Sequence, residues 1–153
     1  MHALRKVVIT GASGNVGTAL LRILAAQEPG TAVTGIARRT PPRTPPYAHA
    51  RWHEIDLARD DAHTVLVPVL EGADAVVHLA IAFQPGRDRD YLRTTAVAGT
   101  RAVARATRAA RVGHLVHLSS AAVYSPGASG VPVSEQWPRR GVPPSIYSAD
   151  KVA

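Results

Sequence analysis

The sequence has 153 residues, of which 46% are hydrophobic and none is cysteine. This length fits one domain with a sizeable buried core, and the lack of cysteine excludes disulfides and thiolate catalysis. No apolar run is long enough to cross a membrane, and the N-terminus lacks a signal-peptide pattern, so we expect a cytoplasmic protein without a membrane partner.

The net charge of +7 is compatible with a nucleic-acid partner. The densest basic set falls mostly on one face of a predicted helix, among alanines, and consists of Arg101, Arg105, Arg108 and Arg111. No aromatic side chains interleave with these arginines, although single-strand binding favours that arrangement. A solvated helix face is the favoured interpretation, and we expect no nucleic-acid partner.

A strand, a glycine-rich turn and a helix follow one another near the N-terminus. Residues 5–10 are mostly apolar and β-branched, and residues 15–27 repeat apolar side chains at helical spacing. Between them, Gly11 permits a sharp turn, Gly14 lets a ligand approach the backbone, and Gly17 lets the helix pack close to the strand. The helix N-terminus would present its amides to a pyrophosphate. The turn therefore predicts a dinucleotide site formed by Gly11, Ser13, Gly14, Asn15, Val16 and Gly17.

Strand and helix patterns alternate along the rest of the chain. Further strands are predicted over residues 31–37, 51–55, 73–79 and 114–119. Helices are predicted over residues 61–70, which include Pro68, over residues 88–110, and from about residue 145 onward. Loops are predicted over residues 38–50, 80–87 and 126–144.

This alternation predicts an α/β fold: a Rossmann-type, doubly wound parallel sheet with right-handed crossovers and strand order 3-2-1-4-5. The sequence stops about two turns into the last predicted helix, after the fifth strand. A fifth strand without a further neighbour is a bare sheet edge. We therefore expect self-association of this chain, such as a homodimer.

Three polar residues near the end of the sequence are candidates for catalysis. Tyr147 and Lys151 are four residues apart, which puts them on the same face of the last predicted helix. Ser120 follows the fifth strand, at the carboxyl edge where ligands of such sheets bind. A tyrosine is a poor base at neutral pH, but a nearby ammonium group favours its phenolate form. The set predicts that Ser120 holds a substrate oxygen while Tyr147 exchanges its proton; the alternative is an aromatic anchor beside a surface lysine.

Five short stretches together carry a resemblance to a known family. They are residues 10–17, Asp56-Leu57, His78-Leu79-Ala80, residues 119–124 and residues 147–151. In this order they resemble the extended short-chain dehydrogenase/reductase family, of the NAD-dependent epimerase/dehydratase type. The resemblance implies that residues 1–153 are the NAD(P)-binding domain of an oxidoreductase, epimerase or dehydratase. Such an enzyme transfers hydride at a carbinol or ketone carbon of a small-molecule substrate.

The resemblance also implies individual residue roles. The implied catalytic residues are Ser120, Tyr147 and Lys151. Tyr147 and Lys151 also count as cofactor contacts, with Lys151 at the nicotinamide ribose. The remaining implied cofactor contacts are Asp56 and Leu57 at the adenine, and Leu79 and Ala80 after the fourth strand.

Three features depart from the family pattern. Ala96 stands on the long helix where the family often has asparagine. The second strand is followed by Arg38 and Arg39 instead of an acidic residue. Guanidinium groups suit a 2′-phosphate and favour NADP over NAD, although Arg38 stacking on adenine, or both arginines facing water, are alternatives. Family members also continue into a substrate lobe beyond these residues, so we expect this chain to bind dinucleotide at best weakly and to catalyse no turnover.

Several questions stay open at this point. A dinucleotide-binding redox sensor without turnover is a second interpretation, which the Ser120, Tyr147 and Lys151 set argues against. The substrate is a carbonyl or alcohol compound, with a nucleotide sugar among the candidates. No metal site is predicted, because the seven histidines show no ligand spacing.

Overall fold

Five parallel strands form the centre of the molecule. The computed structural model describes residues 4–82, 88–128 and 130–153, so residues 83–87 of the loop predicted at 80–87 and Ser129 of the loop predicted at 126–144 lie outside it. The strands are β1 Lys6–Thr10, β2 Ala32–Ala37, β3 Ala50–Glu54, β4 Ala75–His78 and β5 His114–His117. Within the described residues they form one sheet in the order β3-β2-β1-β4-β5, with every neighbouring pair parallel. The predicted Rossmann-type fold and strand order are confirmed.

The helices alternate with these strands. They are α1 Asn15–Gln27, α2 Ala62–Leu70, α3 Arg89–Arg93, α4 Gly99–Ala109 and α5 Ile146–Val152, with short 3-10 turns at Tyr47–His49 and Ala121–Val123. The helix predicted over residues 88–110 is present from Arg89 to Ala109, but a π turn, Thr94–Ala98, lies between its α-helical parts α3 and α4. Apolar periodicity does not reveal such a turn, since a π turn adds a single residue to an otherwise continuous helix.

The side chains of β1 are buried on both faces of the sheet. Val7 and Ile9 join one apolar cluster with Leu21 of α1, whereas Val8 joins a second cluster with Leu66 of α2 and Val103 of α4. Successive strand residues point to opposite faces, so a strand covered on both sides must be apolar throughout. This double burial explains the continuous apolar run that precedes the glycine turn.

The β5 edge of the sheet is the exposed side of this fold. Leu115 is 40% exposed, Val116 is 55% exposed, and Leu118, just after the strand, is 44% exposed. Within the described residues β5 pairs with β4 alone. The helices in the described part of the chain include none with the length and apolar content needed to span a bilayer.

Candidate functional site

The glycine turn lies where β1 ends and α1 begins. Gly11 has φ +71°, and its amide donates to the Ile36 carbonyl at 2.9 Å. A Cβ at Gly11 would lie 2.7 Å from the backbone of Ala80, and a Cβ at Gly17 would lie 2.6 Å from that of Ala12. Only glycine fits either position, because the backbone of the neighbouring segment occupies the space of a side chain. The turn thereby holds the first turn of α1 against the end of β1.

A cleft of about 570 Å³ opens beside this turn, along the carboxyl ends of the strands. Its size lies within the range of about 300–1,000 Å³ that is typical of ligand sites. The predicted cofactor residues that line it are Gly11, Ser13, Gly14, Asn15, Val16, Gly17, Arg38, Asp56, Leu57, Leu79 and Ala80. The structure therefore brings together residues that are separated by up to 69 positions in the sequence.

The first turn of α1 supplies the chemistry that suits a pyrophosphate. Gly14 is the N-cap of α1, and as a glycine it has no side chain that could occupy the first amides of the helix. The residues that carry those amides, Asn15, Val16 and Gly17, line the cleft. A helix N-terminus with accessible amides attracts an anion through its N–H groups and its dipole. The donor set present here fits the diphosphate of a dinucleotide.

At one end of the cleft, Tyr91 connects two of the predicted residues. Its hydroxyl donates to the carboxylate of Asp56, at 3.0 and 3.2 Å from the two oxygens, and accepts from the Arg38 guanidinium at 3.0 Å. The Arg38 Cζ also lies 5.7 Å from the centroid of the Tyr91 ring. No local sequence pattern indicates Tyr91, because its partners lie 35 and 53 positions away.

The two arginines after β2 have different surroundings. Both side chains are exposed, but Arg38 borders the cleft, whereas Arg39 is absent from the described residues that line it. The sequence treated them as a pair, because it does not show which way each side chain leaves the backbone. The structure makes Arg38 the guanidinium that could meet a ligand, with Arg39 as its neighbour in solvent.

The predicted catalytic residues lie on α5 and on the segment after β5. Lys151 donates to the Leu118 carbonyl at 2.9 Å and borders a second cavity of about 100 Å³. The Ser120 side chain accepts from the Ala122 amide at 3.1 Å, which caps the 3-10 turn. Of the predicted set, Lys151 borders the smaller of these two cavities, and Ser120 and Tyr147 are not among the described residues that line either one.

Ser148, beside Tyr147, joins α5 to the segment after β5. Its side chain is fully buried; the hydroxyl donates to the Ala122 carbonyl at 2.5 Å and accepts from the Val142 amide at 2.6 Å. The first of these bonds ties α5 to the turn that begins after Ser120. Sequence analysis did not single out Ser148, because a serine within a helix has no local signal for a long-range contact.

A buried histidine lies beneath the cleft, at the end of β4. His78 Nδ1 is 2.6 Å from the Thr10 hydroxyl, and its Nε2 is 2.9 Å from that of Thr100. Thr100 donates its hydroxyl hydrogen to the Ala96 carbonyl at 2.6 Å. The Thr100 oxygen must therefore accept from His78, which assigns the proton to Nε2 and leaves Nδ1 to accept from Thr10.

The charge state of this histidine follows from its surroundings. Burial lowers the pKa of His78 to about 4, with smaller contributions from the nearby His117 and Lys151. The two histidine rings lie 5.1 Å apart, and burial and Lys151 also lower the pKa of His117. His78 is therefore neutral at pH 7 and acts as a fixed hydrogen-bonding bridge. In the described part of the chain, no three His, Asp or Glu side chains are grouped so that they could hold a metal ion.

Comparison with protein families gives one match. The model described as the NAD dependent epimerase/dehydratase family matches residues 7–153. That range covers the glycine turn, the cleft and the α5 segment. Among curated proteins, no sequence matches the chain.

Solved structures provide a second comparison. The Bordetella bronchiseptica enzyme WbmG, in complex with NAD and UDP, is 26% identical with a TM-score of 0.79, over 99% of this chain and 47% of that one. DesIV, a dTDP-glucose 4,6-dehydratase from Streptomyces venezuelae with NAD and TYD bound, is 26% identical with a TM-score of 0.78, over 95% of this chain and 48% of that one. MoeE5, in complex with UDP-glucose and NAD, is 30% identical with a TM-score of 0.74, over 96% of this chain and 46% of that one. The chain spans about half the length of these structures.

Proposed function

The chain belongs to the NAD-dependent epimerase/dehydratase family, and we propose that it is the dinucleotide-binding half of an enzyme that oxidises or reduces a carbinol or ketone carbon. The observation that carries this proposal is the cleft at the carboxyl edge of the sheet. It opens between β1 and β4, where the strand order reverses and where ligands of such sheets bind. The glycine turn and the helix N-terminus beside it provide the amides for a pyrophosphate.

The proposed roles of the cleft residues follow from their positions. The amides at the start of α1 bind the diphosphate, and Asp56 and Leu57 border the adenosine end of the cleft. Leu79 and Ala80 form its wall after β4. When bound, the nicotinamide would supply the group that accepts a hydride from the substrate carbon and returns it.

The acid–base part of the proposal rests on α5 and on the segment after β5. Ser120 donates a hydrogen bond to the substrate oxygen, and Tyr147 takes or returns the proton on that oxygen. Lys151, one helical turn further on, lies on the same face of α5 and is the proposed contact to the nicotinamide ribose. The bond from Ser148 to the Ala122 carbonyl supports this assignment, because it holds the Tyr147 helix against the Ser120 segment.

Cofactor choice has two opposing indications. WbmG, DesIV and MoeE5 contain NAD, which supports NAD for this chain. The preference for NADP is based on Arg38, whose guanidinium lies at the rim of the cleft. Calorimetric titration with NADH and NADPH tests both, with the variant Arg38→Asp and the matched control Arg39→Asp.

If NADP is preferred, Arg38→Asp reverses the order of the two affinities and Arg39→Asp keeps it, because Arg39 lies outside the described lining of the cleft. Equal effects of the two variants would contradict a role for Arg38 in cofactor choice. Failure of the unmodified chain to bind either dinucleotide would contradict the proposed function.

We further propose a nucleotide sugar as the substrate. The three related structures contain UDP, TYD and UDP-glucose, which supports this class of ligand. A homodimer, a cytoplasmic location and the absence of turnover by the 153 residues alone stay predictions. Sedimentation tests the first, cell fractionation the second, and a hydride-transfer assay the third.

A further inference from the structure

Polar contacts, more than apolar packing, hold α5, the helix that carries Tyr147 and Lys151. Of its seven described residues Ser148 is buried, whereas the apolar side chains of Ile146 and Val152 are 41% and 43% exposed. A helical segment of this length is not stable on its own in water. The position of α5 therefore depends on the hydrogen bonds and ion pairs that its residues form with the rest of the chain.

One of these contacts is an ion pair with α3. The Arg93 guanidinium donates to the Asp150 carboxylate at 3.1 Å, across 57 positions of sequence. The Asp150 side chain is 6% exposed, whereas that of Arg93 is 61% exposed. A buried carboxylate without a partner is costly, so the guanidinium fixes the place that Asp150 can occupy. Because Asp150 directly precedes Lys151, the ion pair acts on the residue beside the lysine.

A second contact comes from α4, on the other side of the π turn. The Arg101 guanidinium donates to the Ala153 carbonyl, just after α5, at 3.4 Å. Eight residues of uninterrupted α-helix would turn the side chains of Arg93 and Arg101 about 80° apart. The π turn accommodates one additional residue, so the two arginines are spaced as if they were seven residues apart and lie on nearly the same face. The π turn thereby directs both guanidinium groups toward α5.

The packing between α4 and α5 leaves the cavity of about 100 Å³ described above. Arg101 lines it from α4, and Asp150 and Lys151 line it from α5. Close-packed side chains would fix the distance between two helices, but a gap of this size does not. The arginine contacts therefore supply the restraint on α5 that packing does not.

We propose that Arg93 and Asp150 are positioning residues whose ion pair sets the place of Lys151 at the nicotinamide end of the cofactor. This inference rests on the proposed function, and no motif in the sequence links the two residues. Arg93 acts through Asp150 and α5 without touching the cofactor. Loss of the ion pair therefore weakens the contacts of the nicotinamide half and leaves those of the adenosine half unchanged.

Two variants that remove opposite charges test this proposal. Asp150→Asn removes a negative charge and Arg93→Gln a positive one, so a purely electrostatic effect on an anionic ligand would have opposite signs in the two proteins. Calorimetry measures the affinities for ADP and NADH, and the fluorescence of the bound nicotinamide reports on its surroundings. We expect both variants to bind NADH about tenfold more weakly, the size expected when one hydrogen bond to the ligand is lost. The affinity for ADP should be unchanged.

Three further proteins serve as controls. Arg93→Lys, which keeps the charge, should retain the affinity for NADH. The two substitutions combined should weaken NADH binding no more than either one alone, because they remove the same interaction. Arg105→Gln should bind both ligands as the unmodified chain does, because Arg105 is exposed on α4 and forms no ion pair among the described residues. Urea unfolding checks that each protein is folded, and the combined variant, which leaves neither charge unpaired, replaces a single variant that does not fold.

The outcomes separate this inference from the proposed function. An unchanged affinity for NADH would overturn the inference, as would equal losses of ADP and NADH affinity or changes of opposite sign in the two variants. If the unmodified chain binds ADP and NADH equally well, the nicotinamide half contributes nothing, and the inference fails while the dinucleotide site stands. If the unmodified chain binds neither ligand, the proposed function fails and this inference fails with it.

Discussion

Acidification should destabilise this protein through His78. The ring is 2% exposed and bridges Thr10 of β1 to Thr100 of α4 in its neutral form. Protonation would place a charge in a buried site and would remove the acceptor that the Thr10 hydroxyl uses. The fold therefore disfavours the charged ring, and the pKa of His78 falls to about 4 for this reason.

The sign and size of the effect follow from the two states of the chain. In the unfolded chain the ring has its ordinary pKa of about 6.5, so below that pH the unfolded state binds the proton first. Stability is complete above pH 6.5 and falls as the pH drops toward the pKa of about 4 that the folded protein gives His78. Each pH unit in this window contributes about 1.4 kcal/mol, so the total loss is about 3 kcal/mol.

Urea unfolding followed by circular dichroism, at several pH values from about 7 down to about 4, measures this loss. The variant His78→Gln should show a smaller decrease over the same window, because it lacks the titration of His78. Some decrease should remain, because the lowered pKa values of His53 and His117 act in the same direction. The histidine ring signals in NMR report the titration of the unmodified protein directly. A His78 ring that titrates near pH 6.5, or equal pH dependence in the two proteins, would refute the reasoning.

Two further substitutions test the packing around the site. Gly17→Ala should lower the free energy of unfolding by about 1–3 kcal/mol in urea titrations, because its Cβ would lie 2.6 Å from the backbone of the glycine turn. Gly30→Ala is the control, since nothing lies within 4 Å of a Cβ there, and an equal loss in both would contradict the close packing at α1. Ser148→Ala should lower stability by about 1–3 kcal/mol in thermal melts, because it leaves the Val142 amide and the Ala122 carbonyl without their partner. A melting temperature equal to that of the unmodified protein would show that Ser148 does not join α5 to the Ser120 segment.

Local patterns were sufficient for most of the fold. Apolar side chains at helical spacing predicted residues 15–27 as a helix, and α1 has those bounds. The five predicted strands were correct to within one or two residues at each end, as expected when strand ends depend on hydrogen bonds to neighbouring strands. The strand order followed from the alternation of elements and from the right-handed crossover, which leave few arrangements open.

The same patterns were insufficient for the π turn and for the contacts of Tyr91. A π turn differs from an α-helix by one residue, which apolar spacing does not register. Tyr91 meets Asp56 across 35 positions of sequence and Arg38 across 53. Each of these contacts depends on how α3 packs against the ends of β2 and β3, and local periodicity carries no information on that.

The order of amino acids in this chain was enough to determine the parallel sheet, the glycine turn and the family. These features arise from interactions between residues a few positions apart or from short motifs, so they can be read along the sequence. The folded arrangement alone determined that Ser148 ties α5 to the Ser120 segment and that, among the described residues, Arg38 borders the cleft while Arg39 does not. The physical reason is that each of these outcomes depends on which distant backbone and side-chain groups come within hydrogen-bonding distance once the elements pack together.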